Sequence, residues 1–243
     1  MQALFNFFEL LGERFSSPLV VFLCFMDLFP LFNSLRIAFF SSIIVFFLGI
    51  FLAHVIAKLH PILKGILDVF LTLPLVLPPT VVGFFLILIF GVKRPIGQFL
   101  AKFGIKFVMT WYGGIVAAAV VAFPLMYRTT RGAFEAFDTN LQEAGQTLGL
   151  SNSYIFWHIK LPECKQGIIA GIVLAFARAL GEYGATSMLI GYTPGKTATI
   201  STTVYQLWRT NNEAEAYIWV LINVAISAVV LLTVNLLEKK KRH

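Results

Sequence analysis

The sequence predicts an all-α integral membrane protein of five transmembrane helices, or six if an apolar N-terminal segment also crosses. Three observations predict it. Only 13% of the 243 residues are charged and 58% are hydrophobic, whereas soluble domains carry about a quarter charged residues. Several apolar runs reach or approach the ~18 residues that mark a membrane span. One stretch breaks the pattern: "LQEAGQTLGLSNSYIFWHIKLP", residues 141–162, is charged and patterned like a soluble helix pair in the middle of a greasy chain.

Residues 1–35 form an N-terminal apolar segment. "MQALFNFFELLGERF" lacks the basic start of a cleaved signal peptide and reads as mature chain. "PLVVFLCFM" is apolar but stops at Asp27, with Pro30 close behind. It reads as an interfacial helix or as an extra span, and both readings stay open. Residues 36–238 form the transmembrane domain. Its spans are predicted near 37–57, 69–90 (interrupted by prolines), 111–127, 167–190 and 217–237, each near the ~20 residues that cross ~30 Å of hydrocarbon. Residues 239–243 are a basic tail.

Two spans separate residues 141–162 from the terminal "EKKKRH", so both lie on one side. The positive-inside rule places that side in the cytoplasm. The bias of Lys and Arg over the other loops is slight, so the tail decides the orientation. The net charge of +7 does not point to nucleic acid, because the cations sit in loops between apolar runs rather than on one soluble face. Cys24 and Cys164 are too few for a disulfide framework or a metal cage. His54, His60 and His158 are scattered, with no carboxylate spaced to join them in a metal site.

The 138–162 element reads as two short helices. Asp138 or Thr139 can cap the first, with Thr139 and Gln142 spaced as a capping box. Leu141, Ala144, Gly145 and Leu148 fall on one narrow face. Gly149 suits the left-handed position that stops the helix. Ser151 can cap the second helix, which Pro162 is expected to end. A solvated linker is the plain alternative. An apolar face with small residues at its centre is better explained by a partner that docks on it.

Glu143-Ala144-Gly145, Gly149, Ile159 and Leu161-Pro162 stand at the spacing of the "EAA…G…I-x-LP" loop, and here the chain resembles the permease subunits of bacterial ABC importers. It departs from that pattern at Gly145, where the family usually has Ala. The resemblance implies a type I permease architecture and a coupling role for Glu143, Ala144, Gly145, Leu148, Gly149, Ile159, Leu161 and Pro162, gripped by a separate ATPase. The chain has no GxxxxGK[ST] phosphate loop, in keeping with ATP and Mg being used by the partner and with no cofactor on this subunit. The resemblance also implies two ATP-binding subunits, an external oxyanion-binding protein, a homodimer, no covalent chemistry, and residence in the bacterial plasma (inner) membrane. "LPLVLPPTVVGFFLILIFGVKRPIG", "AFPLMYRTTRGAFEAFD" and "LAFARALGEYGATSMLIGYTPGKTATI" are similar to the molybdate-transport type, with tungstate and sulfate permeases as relatives.

The candidate pathway follows from the breakers and charges. Pro74, Pro78 and Pro79 remove backbone donors, and broken backbone inside a membrane is tolerated where it lines a cavity. Pro78, Pro79 and Thr80 are therefore pathway candidates, with a packed structural kink as the alternative. Arg178 and Glu182 stand four apart on one face of the fourth span, as a gate or a helix-locking pair; Tyr183 joins this candidate set. Lys93, Arg94, Lys102 and Lys106 give the loop after span two a positive potential, which could draw in an anion or remain ordinary loop charge. Gly167, Gly171, Ala175 and Ala179, and on span three Gly113 with Ala117 and Ala118 with Ala122, form small-residue stripes for close packing inside a subunit or at a dimer axis. A stand-alone ion-coupled carrier is the rival; Glu182 is its one strong midplane acid, and it leaves the 141–162 element without a purpose.

Overall fold

The computed structural model describes residues 27–239. The interfacial-or-span question for the first 26 residues, Cys24 and the last four residues of the basic tail lie outside the described residues. Three long helices run without interruption: α1 (Phe29–Ala57), α5 (Trp111–Glu135) and α12 (Glu213–Lys239). Two further crossings are bent pairs. The first is α2 (Pro61–Val76) with α3 (Pro79–Phe90), bent by 113°. The second is α9 (Lys165–Leu180) with α10 (Gly184–Ile190), bent by 55°. Between them lie α4 (Pro95–Lys102), α6 (Thr139–Thr147), α7 (Asn152–Ile155), a π-helical turn (Phe156–Lys160) and α8 (Leu161–Glu163); α11 (Ile200–Arg209) precedes α12. No strand occurs among the described residues. The described residues are all-α, with three unbroken spans and five if each bent pair is one crossing.

The expected boundaries shift outward. α1 begins at Phe29, not near residue 37, because Pro30 sits in the first helical turn, where a missing N–H costs nothing. At 29 residues α1 is about 43 Å long, longer than the ~30 Å hydrocarbon layer. α5 likewise runs eight residues past its expected end at Tyr127.

α5 is the axis of the bundle, and α1 packs parallel to it. Gly114 approaches the Ile37 side chain at one end, Gly49 approaches Met126 in the middle, and the His54 ring meets Phe134 at 6.4 Å at the other. The facing residues are small: Ala38, Ser41, Ser42 and Ala53 from α1, and Ala117, Ala118 and Ala122 from α5. Lipid tails are as apolar as Leu, so helices in a bilayer associate through such close packing. α9 lies on α5 in the same manner, with Gly167 against Ala133 and Gly171 against Met126. The stripes on α5 and α9 thus serve packing within one subunit. Phe39, Phe47, Phe51 and Leu221 point outward, as lipid-facing positions should.

Contacts define two ends. At the basal end the α1 terminus, the start of α2, the end of α5 and residues 138–164 meet: the His54 ring lies tilted against Phe156 at 4.1 Å, and the Cys164 thiol donates to the Ala133 carbonyl at 3.2 Å. At the apical end the Asn33 side chain donates to the Ala198 carbonyl (2.9 Å), Ser34 Oγ accepts from Ile200 N–H (2.8 Å), and the Arg36 guanidinium lies 3.9 Å over Trp111. The α2–α3 pair starts basally, beside Glu135, and finishes with Phe90 against Phe107 at 4.9 Å, next to the start of α5. It therefore crosses as a broken span. α12 starts apically, where Trp219 is buried with Ile200, and runs toward the basal end past Ile172 and Phe46. The C-terminal end of α12 and residues 141–162 thus lie toward the same end of the bundle.

α11 has no counterpart among the predicted elements. Its signal was present: Thr199 and Thr202 form a reciprocal capping box, and Ile200, Val204 and Leu207 follow at helical spacing.

Candidate functional site

The basal element is a capped projection. Asp138 caps α6, accepting from Asn140 N–H at 2.9 Å. Thr139 is the first helical residue, so the expected Thr139–Gln142 box does not form. Gly149 has φ +78, and around it Leu150 N–H donates to the Gly145 carbonyl (3.0 Å) and Gly149 N–H to that of Gln146 (2.9 Å). This is the Schellman termination that a glycine at that position permits. Ser151 caps α7, its Oγ accepting from Tyr154 N–H at 3.2 Å. Pro162 does not end the second helix. The preceding residues widen into a π turn, and Pro162 sits in the first turn of α8, where its lack of an N–H is harmless.

The coupling residues divide into two groups. Glu143, Ala144, Gly149 and Pro162 are exposed, and Leu148 is 78% exposed. Gly145 is buried, with an added Cβ lying 3.1 Å from Ile155 and 3.6 Å from Ile159; Ile159 and Leu161 are half-buried. Of the two small residues at the centre of the face, Gly145 is therefore covered by the element's own second helix and Ala144 is not. Leu141, Ala144 and Leu148 remain open, joined by exposed Tyr154 and Trp157, which sequence reading left unassigned. Beneath them the Lys160 ammonium sits 5.1 Å over Phe134. Burial, then the charge of Lys58, push its pKa down, against the opposing influence of Cys164; burial pushes the Cys164 thiol up.

The two helix breaks form a second constellation. Leu77 and Pro78 each precede a proline and are held extended, at ψ 142 and 134. Pro79 opens α3 and lies against Gly184, where an added Cβ would meet Pro79 Cβ at 2.8 Å and Thr80 N at 3.1 Å. Gly83 likewise meets Ala185 and Met188. The breaks of two different spans thus abut. Glu182 lies in the second break, its side chain 1% exposed. Its Oε1 accepts from Ala185 N–H at 2.7 Å, and its Oε2 pairs with Arg178 Nη1 at 2.7 Å. Arg178 is 30% exposed, on the side of α9 that also carries exposed Leu174 and Gly181. Pro78 and Thr80 are exposed as well. Two candidates stand apart. Pro74 is tolerated inside α2 and lines an apolar groove with Val45, Leu71 and Phe123. The Tyr183 ring packs on Tyr205 at 5.4 Å and faces a groove of about 400 Å³ with Trp208 and Val220.

A third cluster went unassigned in the sequence. Lys64 Nζ lies 2.7 Å from Glu135, which Arg131 Nε also reaches at 2.9 Å; Arg131 further pairs with Asp68, and Asp68 accepts from the Tyr127 hydroxyl. The signal was two i,i+4 pairs, Lys64–Asp68 and Arg131–Glu135. Lys93, Arg94, Lys102 and Lys106 are exposed around α4, toward the apical end.

Bent crossings around a tightly packed bundle, with a capped helical projection at one end, make up a helical membrane-protein fold. Residues 45–243 match the family described as the binding-protein-dependent transport system inner membrane component, and the chain belongs to that family. It is 42% identical to the molybdenum transport system permease protein ModB of Escherichia coli (strain K12), over 84% of this chain and 91% of that protein. It is 32% identical to the sulfate transport system permease protein CysT of Salmonella typhimurium (strain LT2), over 85% of this chain and 75% of that one. The crystal structure of a bacterial ABC transporter that imports the acidic polysaccharide alginate superposes with a TM-score of 0.74 at 16% identity, covering all of this chain and 90% of that one; this likeness is one of fold.

Proposed function

We propose that this chain is the membrane-spanning subunit of an ATP-driven importer for molybdate. The observation that carries the transport mechanism is the capped basal projection. A short helix held by Asp138, Gly149 and Ser151 leaves Ala144 and Leu148 open and Leu141 partly so, which suits a handle seated in a partner. The partner is an ATP-binding subunit, one for each of two copies of this chain, and ATP with Mg is consumed there. An external oxyanion-binding protein delivers the anion at the apical end, near the exposed cations of α4. The basal end, with the C-terminus, faces the cytoplasm. The pathway runs along the abutting breaks, past Pro78, Thr80 and Arg178. Glu182 holds Arg178 in place, so the anion meets a guanidinium already neutralised by its pair and is passed on rather than retained.

The choice of molybdate rests on the 42% identity to a molybdenum permease. Sulfate is the second reading, supported by the 32% identity to a sulfate permease, and tungstate shares the chemistry of molybdate. Uptake of labelled molybdate and labelled sulfate by cells with and without the gene separates them. The proposal expects molybdate uptake to depend on the gene, with tungstate but not excess sulfate competing. Gene-dependent uptake of sulfate alone would overturn the choice.

A further inference from the structure

The charge cluster between α2 and α5 lies outside the coupling element and the paired breaks, and its geometry is specific. Lys64 and Asp68 are four apart on α2; Tyr127, Arg131 and Glu135 are four apart on α5. They meet as an antiparallel ladder, Lys64 to Glu135 and Asp68 to Arg131 and Tyr127. Leu71 and Pro74 continue it toward Phe123 and Val120. The four charges sum to zero, so the array adds no net charge where the helices enter the bilayer.

α2 has no buried residue. In a membrane its apolar surface gains little by exchanging lipid for protein, so apolar packing alone fixes its position weakly. Direct ion pairs and a hydrogen bond fix one geometry more strictly, and Asp68 and Arg131 are the least exposed charges of the set, at 19% and 22%. On another face, the same two turns of α5 bear the basal element, through the Cys164 thiol on the Ala133 carbonyl and Lys160 over Phe134. The far end of α2 is the Leu77–Pro78 break.

We infer that this ladder is a permanent clasp that makes α2 and the basal half of α5 move as one body, so that displacement of the coupling element is delivered to the Pro78 break. Asp68 and Arg131 are its positioning residues; neither touches the anion. The inference rests on the proposed coupling role of the basal element. It commits to a clasp that stays closed through the cycle, in contrast to a latch that opens.

Two measurements on the complete transporter test it. Asp68→Asn keeps the volume and removes the charge. The expected result is an ATPase that still co-purifies and hydrolyses ATP, with anion uptake per assembled complex reduced about tenfold, the size of one lost charge-assisted hydrogen bond. A merely structural role would lower uptake only in proportion to assembled complex, and that result overturns the inference. In a Cys24→Ser, Cys164→Ser background, Lys64→Cys with Glu135→Cys is bridged by a short bis-methanethiosulfonate. A closed clasp keeps uptake at the level of the unbridged double variant; uptake that stops on bridging and returns on reduction overturns the inference. If the unaltered chain binds no ATPase, the coupling reading itself falls and the relay with it, an outcome distinct from a coupled transporter that ignores Asp68→Asn.

Discussion

Gly149→Ala isolates what holds the basal projection together. Nothing lies within 4 Å of a Cβ built on Gly149, so the substitution adds no steric contact and acts through the backbone alone. At φ +78 an L-residue is disfavoured by about 1–2 kcal/mol. Opening of the turn frees two amides, Leu150 N–H from the Gly145 carbonyl and Gly149 N–H from that of Gln146. The population of the open turn should therefore rise about 5- to 30-fold, since 1.4 kcal/mol is a factor of ten. Hydrogen–deuterium exchange of peptides covering 145–150, in nanodiscs, reads this directly. Asn tolerates the left-handed region, so Gly149→Asn should exchange at an intermediate rate. Gly145→Ala is the control: its Cβ meets only the flexible ends of two side chains, Ile155 at 3.1 Å and Ile159 at 3.6 Å, and Ala favours the helix by up to about 1 kcal/mol over Gly. It should leave exchange unchanged or slow it. Unchanged exchange in Gly149→Ala would refute the reasoning, because the turn would then be held by something other than its left-handed cap.

Other perturbations follow from the paired breaks and the buried thiol. Glu182→Ala strips Arg178 of its counter-ion and the Ala185 amide of its acceptor. Breaking a buried pair costs about 3–5 kcal/mol, and the partial exposure of Arg178 brings this to about 2 kcal/mol, read as a lowered unfolding midpoint; Glu182→Gln, which keeps the acceptor, should lose less. Gly184→Ala places a methyl against Pro79 Cβ and Thr80 N, so overpacking of about 1–3 kcal/mol is expected, with a loss of uptake that a distant Gly132→Ala does not share. In a Cys24→Ser variant, Cys164 should react with N-ethylmaleimide at neutral pH at least about tenfold more slowly than a cysteine placed at exposed Leu148, because burial keeps its thiol protonated and covered. Equal rates would contradict that placement.

The parts of the fold written in local chemistry were legible. Capping residues, a left-handed glycine and small-residue stripes act over a few positions, so Gly149, Ser151 and the Gly167–Ala179 row could be read directly. Arg178 and Glu182 were paired by their spacing, although Glu182 proves to lie beyond the end of α9. Prolines were harder, because their consequence depends on where a helix begins. Pro30, Pro79 and Pro162 each sit in a first turn and open helices, while Pro74 is simply tolerated. Which side of α6 is covered was not legible either. Gly145 meets Ile155 and Ile159 only because the Gly149 turn folds α7 back, and a one-dimensional face cannot reveal that. The α2–α5 ladder needed two distant i,i+4 pairs to be brought together, which is tertiary information.

The most direct test of the account is transport by purified components in sealed vesicles. The account expects uphill accumulation of molybdate when this chain is reconstituted with its ATP-binding subunit, loaded external binding protein and internal ATP, and none when the ATP-binding subunit is left out. Uphill accumulation by this chain alone, driven by an ion gradient, would contradict it.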